Sequence, residues 1–234
     1  MLQKLDKILL SENVCENFLQ EYQNPEFKEW LISAVNEIED CAKTEQDNPW
    51  HIYNCLEHIL HSVEEINKQT KDLEHSERRV LAYSMFLHDI GKPETKVRRF
   101  AKKYQREVDS FFNHNRAGVK IADRVLGNFK FTQTEQEQIK TLIKEHDMFM
   151  SITTKEENTK SGNKLLSTDL LKDEIYELDK IGDGEKLMQY LIYVAKADNL
   201  AQNPEMTKES LEKIDVAQQY LNEIKAEKEA EICL

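Results

Sequence analysis

The sequence has 234 residues, 39% hydrophobic and 32% charged, with 32 basic side chains against 44 acidic ones and a net charge of −12. That is the profile of a folded chain with enough apolar material for one large domain, and it excludes a disordered one. So acidic a surface repels duplex phosphate and excludes a general nucleic-acid grip, but a small phosphorylated substrate is compatible with a site of locally reversed charge. The N-terminal Met1-Leu2-Gln3-Lys4-Leu5-Asp6 lacks a signal-peptide core, and no apolar run nears the roughly 20 residues of a membrane span. The four cysteines, Cys15, Cys41, Cys55 and Cys233, are scattered without a CxxC pair, as in free thiols of a reducing compartment. A cytoplasmic protein without a membrane partner is expected.

With only six Gly and four Pro, long helices are expected, and strand alternation is hard to find. In chain order, the periodicity predicts helices over 2–22 with a break near Ser11, then 25–45, 49–68, 76–88, 111–128, 133–150, 167–180, 184–201 and 204–229. Asn24-Pro25, Asn48-Pro49 and Asn203-Pro204 each mark a start, because the Asn side chain accepts an orphan amide and Pro has none to lose. Thr134 and Glu137 form a candidate capping box. Two stretches read as irregular: 90–106, with Gly91 and Pro93, and the polar 153–166, expected to be a mobile loop or lid. The fold class expected is all-α: an N-terminal helical extension over 1–48, a central helical domain over 49–203, and a C-terminal helix over 204–234. That last helix carries Leu211, Ile214, Ala217, Leu221 and Ile224 on one face, which docks on its own domain.

Polar residues recur where apolar ones belong. Residues three and four apart share a helix face. His114 therefore extends the stripe of Gly118, Ile121 and Val125; His146 continues that of Ile139, Leu142 and Ile143; and Asp198 follows Leu187, Leu191 and Val194. One inward imidazole is ordinarily a hydrogen-bonded core residue. An unpaired inward carboxylate costs several kcal/mol and is paired, neutralised or metal-bound. Several such groups in one helical chain have a single economical explanation, a shared divalent cation.

His58 sits at the edge of the stripe formed by Ile52, Cys55, Leu56, Ile59, Leu60, Val63 and Ile66, whereas His61 lies opposite its centre and faces solvent. His51 and His75, at helix ends, are not expected to be ligands. His88-Asp89 closes the run Val80–Leu87, apolar nearly all round, so this helix is central and buried. At its end both side chains can flank one ion, or the carboxylate can bridge two.

The order His58, His88-Asp89, His114, His146, Asp198 resembles the HD superfamily of metal-dependent phosphohydrolases in its full six-ligand form, over roughly residues 50–202. Leu87-His88-Asp89-Ile90-Gly91-Lys92 is similar to the HD-Ile-Gly-Lys form, closest to the HD domain of bacterial tRNA nucleotidyltransferases. Glu57–Val63, Phe112–Gly118 and Ala197–Ala201 resemble the segments around the other ligands. The resemblance implies an HD-domain helical bundle in which His58, His88, Asp89 and Asp198 hold one metal. His114 and His146 would hold a second with Asp89 as bridge, or contact the substrate phosphate. Relatives often carry a glutamate after the third histidine, where this chain has Asn115.

One or two divalent ions are implied. Imidazole and carboxylate ligands suit Mn, Ni, Co, Fe or Zn, with Mg tolerated. Asp89 and Lys92 are the candidate catalytic residues, and Lys92 and Arg116 the candidate phosphate contacts. Seven cations (Lys92, Lys96, Arg98, Arg99, Lys102, Lys103 and Arg106) stand against Glu94 alone within 92–106, a local field to draw a small phosphorylated substrate, expected to be a nucleotide. The rival readings are a solvated helix face for the residues beyond Lys92, a non-catalytic module that binds metal or nucleotide and regulates a partner, and a di-iron oxygenase.

Overall fold

The computed structural model describes residues 1–232. The chain runs α1 (Leu2–Leu9), α2 (Val14–Glu21), α3 (Pro25–Ala34), α4 (Glu37–Lys43), α5 (Cys55–Gln69), α6 (His75–Leu87) and α7 (Lys92–Thr95), then a hairpin of β1 (Lys96–Ala101) and β2 (Arg106–Phe111). It continues through α8 (His114–Val125), α9 (Gln133–Glu145), a short parallel pair β3 (Ile152–Thr153) and β4 (Lys164–Leu165), α10 (Thr168–Asp179), α11 (Gly184–Leu200) and α12 (Pro204–Ile232). The fold is all-α with small strand pairs, and no described helix is long and apolar enough to cross a membrane.

Local chemistry sets most boundaries. The break at Ser11 is real: its hydroxyl returns to the Ile8 carbonyl at 2.7 Å, and the Asn67 amide caps the Leu9 and Ser11 carbonyls at 2.8 and 2.9 Å. Asn24 Oδ1 and Asn203 Oδ1 each accept an amide of the following turn at 3.1 Å, as the Asn-Pro signal expects. Asn48-Pro49 does not start a helix. Residues 45–53 lie along β2, where Asp47 and Asp109 exchange bonds at 2.9 Å, and Asn48 Oδ1 accepts from Trp50 N and His51 Nδ1. Helix α5 starts six residues later, capped by Asn54. The stretch 25–45 is two helices, parted where Val35 leaves helical geometry. The capping box of α9 is Thr132 with Glu135, not Thr134 with Glu137.

The hairpin corrects the expectation of irregular chain over 90–106. Its register pairs Lys96 with Phe111 and Arg99 with Val108, and Gln105 turns it at φ 51°. The polar segment 153–166 is partly ordered: a 3-10 turn over Glu156–Ser161 links β3 to β4, and Lys155 pairs with Glu209 of α12 at 2.7 Å.

Helix α6 runs through the middle. Every residue from Val80 to Leu87 is buried, against α5, α9, α1 and α11. The same continuous core takes Leu5, Phe18, Phe27 and Ile38 from the N-terminal helices. From α12 it takes Ile214, Ala217, Leu221 and Ile224, which pack on α10 and α11. Cys15, Cys41 and Cys55 are buried free thiols; Cys233 lies outside the described residues.

Candidate metal centre

Helix α5 brings His58, the exit of α6 brings His88 and Asp89, α8 opens on His114, His146 follows α9, and Asp198 lies near the end of α11. The α6 exit is tight because of Gly91: a Cβ there would meet the His114 carbonyl and fall 2.6 Å from the Gly118 nitrogen. Only glycine lets α6 turn against α8 so closely. His114 is set by Asn113, which takes the left-handed conformation at φ 61°.

The six residues form two clusters that share Asp89. In the first, His58 Nε2 lies 2.9 Å from Asp198 Oδ1 and 3.2 Å from Asp89 Oδ2, and His88 Nε2 lies 3.2 Å from that same Oδ2. In the second, His114 Nε2 and His146 Nε2 lie 3.2 and 3.9 Å from Asp89 Oδ1. Ligand atoms ~2.0–2.2 Å from one ion are about 3.0–3.5 Å apart, so most of these separations match those between residues that would hold one ion. Asp89 faces each cluster with a different oxygen.

The hydrogen bonds fix which ring nitrogens are free. Nδ1 of His58, His88, His114 and His146 points at the carbonyls of Ala201, Met85, Phe111 and Ile143, at 3.3, 2.7, 2.7 and 2.7 Å. A carbonyl only accepts, so Nδ1 carries the proton and a neutral ring presents its lone pair at Nε2. Those Nε2 atoms face each other, His58 to His88 at 3.4 Å and His114 to His146 at 3.0 Å. Facing lone pairs need a proton or a cation between them. Both Asp89 oxygens are buried without a well-aimed hydrogen bond, although Lys92 Nζ lies 2.5 Å from Oδ2. Buried carboxylate oxygens without an aimed hydrogen bond, together with converging lone pairs, fit a divalent cation.

Electrostatics of the metal-free cluster agree. Burial opposes charge on Asp89, but His88 and Lys92 outweigh it and hold the carboxyl well below its usual range. Asp198 is likewise held low against burial, by His58 and His88. Burial disfavours a charged His88, yet Asp89 and Asp198 raise its pKa to about 10. His114 is raised against burial by Asp89, while burial lowers His146.

Lys92 is buried, and its ammonium also donates to Gln46 Oε1 at 2.8 Å and lies 3.0 Å from His51 Nε2. His51 is no member of either cluster, as expected, yet it belongs to the site. Its Nδ1 donates to Asn48, so Nε2 accepts from Lys92, and burial with the nearby ammonium pushes its pKa down to about 2. His61 pairs with Glu64 at the surface side of α5, and His75 is exposed.

A cavity of about 550 Å³ opens over Asp89, Lys92, His114, His146 and Asp198. Its walls include Phe111 and Phe112 from the hairpin end, Trp50, Phe149, and Lys213 and Ile214 of α12. Of the basic segment, Lys96, Arg98 and Arg106 are tied to Asp109, Asp47 or Glu107, and Arg99 lines the cavity, stacked on Phe112. Arg116, expected at the phosphate, is exposed and does not line the cavity. Sequence reasoning missed Gln46, Lys213 and Asp147, the last of which stands 3.4 Å from His114 Nε2. For Asp147 a signal existed: His146-Asp147 is a second His-Asp pair at a helix end.

No curated protein matches the sequence. The family model for the HD domain matches residues 51–203, which takes in all six clustered residues and most of the cavity wall, while the likeness to the tRNA nucleotidyltransferase branch rests on local residues alone. The chain belongs to the HD domain family.

Proposed function

We propose that this chain is a metal-dependent phosphohydrolase acting on a small phosphate ester, a nucleotide being the substrate class its cavity suits. The observation that carries the reading is Asp89: a buried carboxylate, beside the Lys92 ammonium, shared by two imidazole clusters on the floor of an open cavity. A divalent ion held there supplies Lewis acidity, polarising a phosphoryl oxygen and making water nucleophilic near neutral pH.

The chain's own residues do the rest. The four Nδ1–carbonyl bonds hold the imidazoles in the ligating tautomer and fix their aim. Lys92, kept protonated by Asp89 against the effect of burial, is a fixed cation beside the reacting centre and offsets charge that builds on the phosphoryl oxygens. Neutral His51 and Gln46 hold that ammonium in place without competing for its charge. Arg99 presents further positive charge to the cavity of an otherwise acidic protein, while the Lys213 ammonium is held on the Phe149 and Ile152 carbonyls at its wall. Aromatic walls accept the organic part of the ester and exclude water from it.

The test is a panel of phosphomonoesters and phosphodiesters with Mn²⁺, Ni²⁺, Co²⁺, Fe²⁺, Zn²⁺ or Mg²⁺. Turnover that Asp89→Ala abolishes supports the reading. A fully metallated protein that turns over none of them contradicts it and favours the non-catalytic binding module.

A further inference from the structure

The cations of the hairpin are held in two ways. Lys96 Nζ lies 3.0 Å from an Asp109 oxygen, and Arg98 and Arg106 each lie 2.7 Å from Asp47. Their charge is matched within the protein. Arg99 is held differently. Its Nε donates to Ser110 Oγ at 2.6 Å, and its guanidinium carbon stands 4.8 Å from the centre of the Phe112 ring. Among the described residues no carboxylate pairs with it, and both Arg99 and Phe112 line the cavity.

A hydroxyl and an aromatic face fix a guanidinium without neutralising it. The Ser110 bond uses Nε and the stacking uses the flat face, so the two terminal amino groups stay free. They form the fork that matches two oxygens of one phosphate. The other cations of the wall are already engaged. Lys92 stands 2.5 Å from Asp89, and the Phe149 and Ile152 carbonyls take up the Lys213 ammonium. Asp109, an acid of the same wall, is matched by Lys96 and Arg98 and leaves the field of Arg99 uncancelled.

We propose that Arg99 binds a second phosphate group of the substrate, while the reacting phosphate sits beside Asp89 and Lys92. The ester preferred by this cavity therefore carries two phosphates. The proposal rests on the reading of the cavity as a phosphate-ester site.

The other use of Arg99 is to cover Phe112, whose ring remains 56% exposed. A mere cover gives no preference for a second phosphate. The experiment measures equilibrium binding to the full chain by calorimetry in EDTA, where metal-dependent turnover does not intrude. The probes are AMP, ADP and adenosine 3′,5′-bisphosphate. ADP or the bisphosphate binds about 10–100-fold more tightly than AMP, as a charge-assisted pair of hydrogen bonds would give. Arg99→Gln brings that ratio close to one, and Arg99→Lys, which keeps the charge without the fork, leaves it intermediate. Lys102→Gln removes the same charge from an exposed side chain at the hairpin turn, outside the cavity wall, and keeps the wild-type ratio. Melting temperatures near that of wild type report that the variants are folded.

A wild-type ratio near one, or no binding of any probe, overturns the proposal. So does a ratio unchanged in Arg99→Gln, or one lost equally in Lys102→Gln. An Arg99-dependent ratio in a protein that turns over no ester with any metal contradicts the phosphohydrolase reading alone, and leaves the second-phosphate site standing in a binding module.

Discussion

Asp89 is the residue on which the centre turns, because its two oxygens face different imidazole pairs and neither has an aimed hydrogen bond of its own. His88, next to it, shows how a proton stands in for the cation. In the metal-free protein burial opposes its charge, but Asp89 and Asp198 raise its pKa to about 10, against ~6.5 in an unfolded chain. A folded pKa above the unfolded one gives stability that is full below ~6.5 and is lost as pH rises towards 10. A ligating imidazole must be neutral, so metal competes with that proton. The rise in melting temperature caused by Mn²⁺ should thus grow from about pH 6.5 to about pH 8.5; a shift that stays constant or shrinks would contradict this assignment. The clustered residues were legible in the sequence because helix periodicity alone aims His114, His146 and Asp198 inward. His51 and Gln46 were not, since they stand on 45–53, a segment without periodicity whose path is set by bonds to β2.

At the scale of elements, the helices of the centre were readable and the hairpin was not. Strand β1 is exposed along nearly its whole length, so it lacks the apolar alternation by which a half-buried strand is recognised. Asn48-Pro49 misleads for a related reason: tertiary bonds claim the backbone that a helix would need. Helix α12, by contrast, announces its docking face. Leu221 on that face is fully buried against the core shared with α10 and α11. Leu221→Ala should lower stability by about 2–5 kcal/mol, the usual cost of a buried leucine truncation, read from urea unfolding. A loss below about 0.5 kcal/mol, as at an exposed surface position, would mean that α12 is not part of the core.

The whole molecule joins an acidic exterior to one buried polar centre. The HD match covers 51–203, yet α12, which follows it, brings Lys213 and Ile214 to the cavity wall, and the N-terminal helices share the core that supports α5 and α6. The substrate stays outside what the sequence shows, because the cavity walls are assembled from Trp50, the hairpin and α12, far apart along the chain. The most direct test of the account is a crystal grown or soaked with Mn²⁺ and examined by anomalous scattering. The account predicts a peak within bonding distance of His58 Nε2, His88 Nε2, Asp89 Oδ2 and Asp198 Oδ1. A crystal whose metal-loaded protein shows no peak among these four atoms, or shows its ion elsewhere, would contradict it.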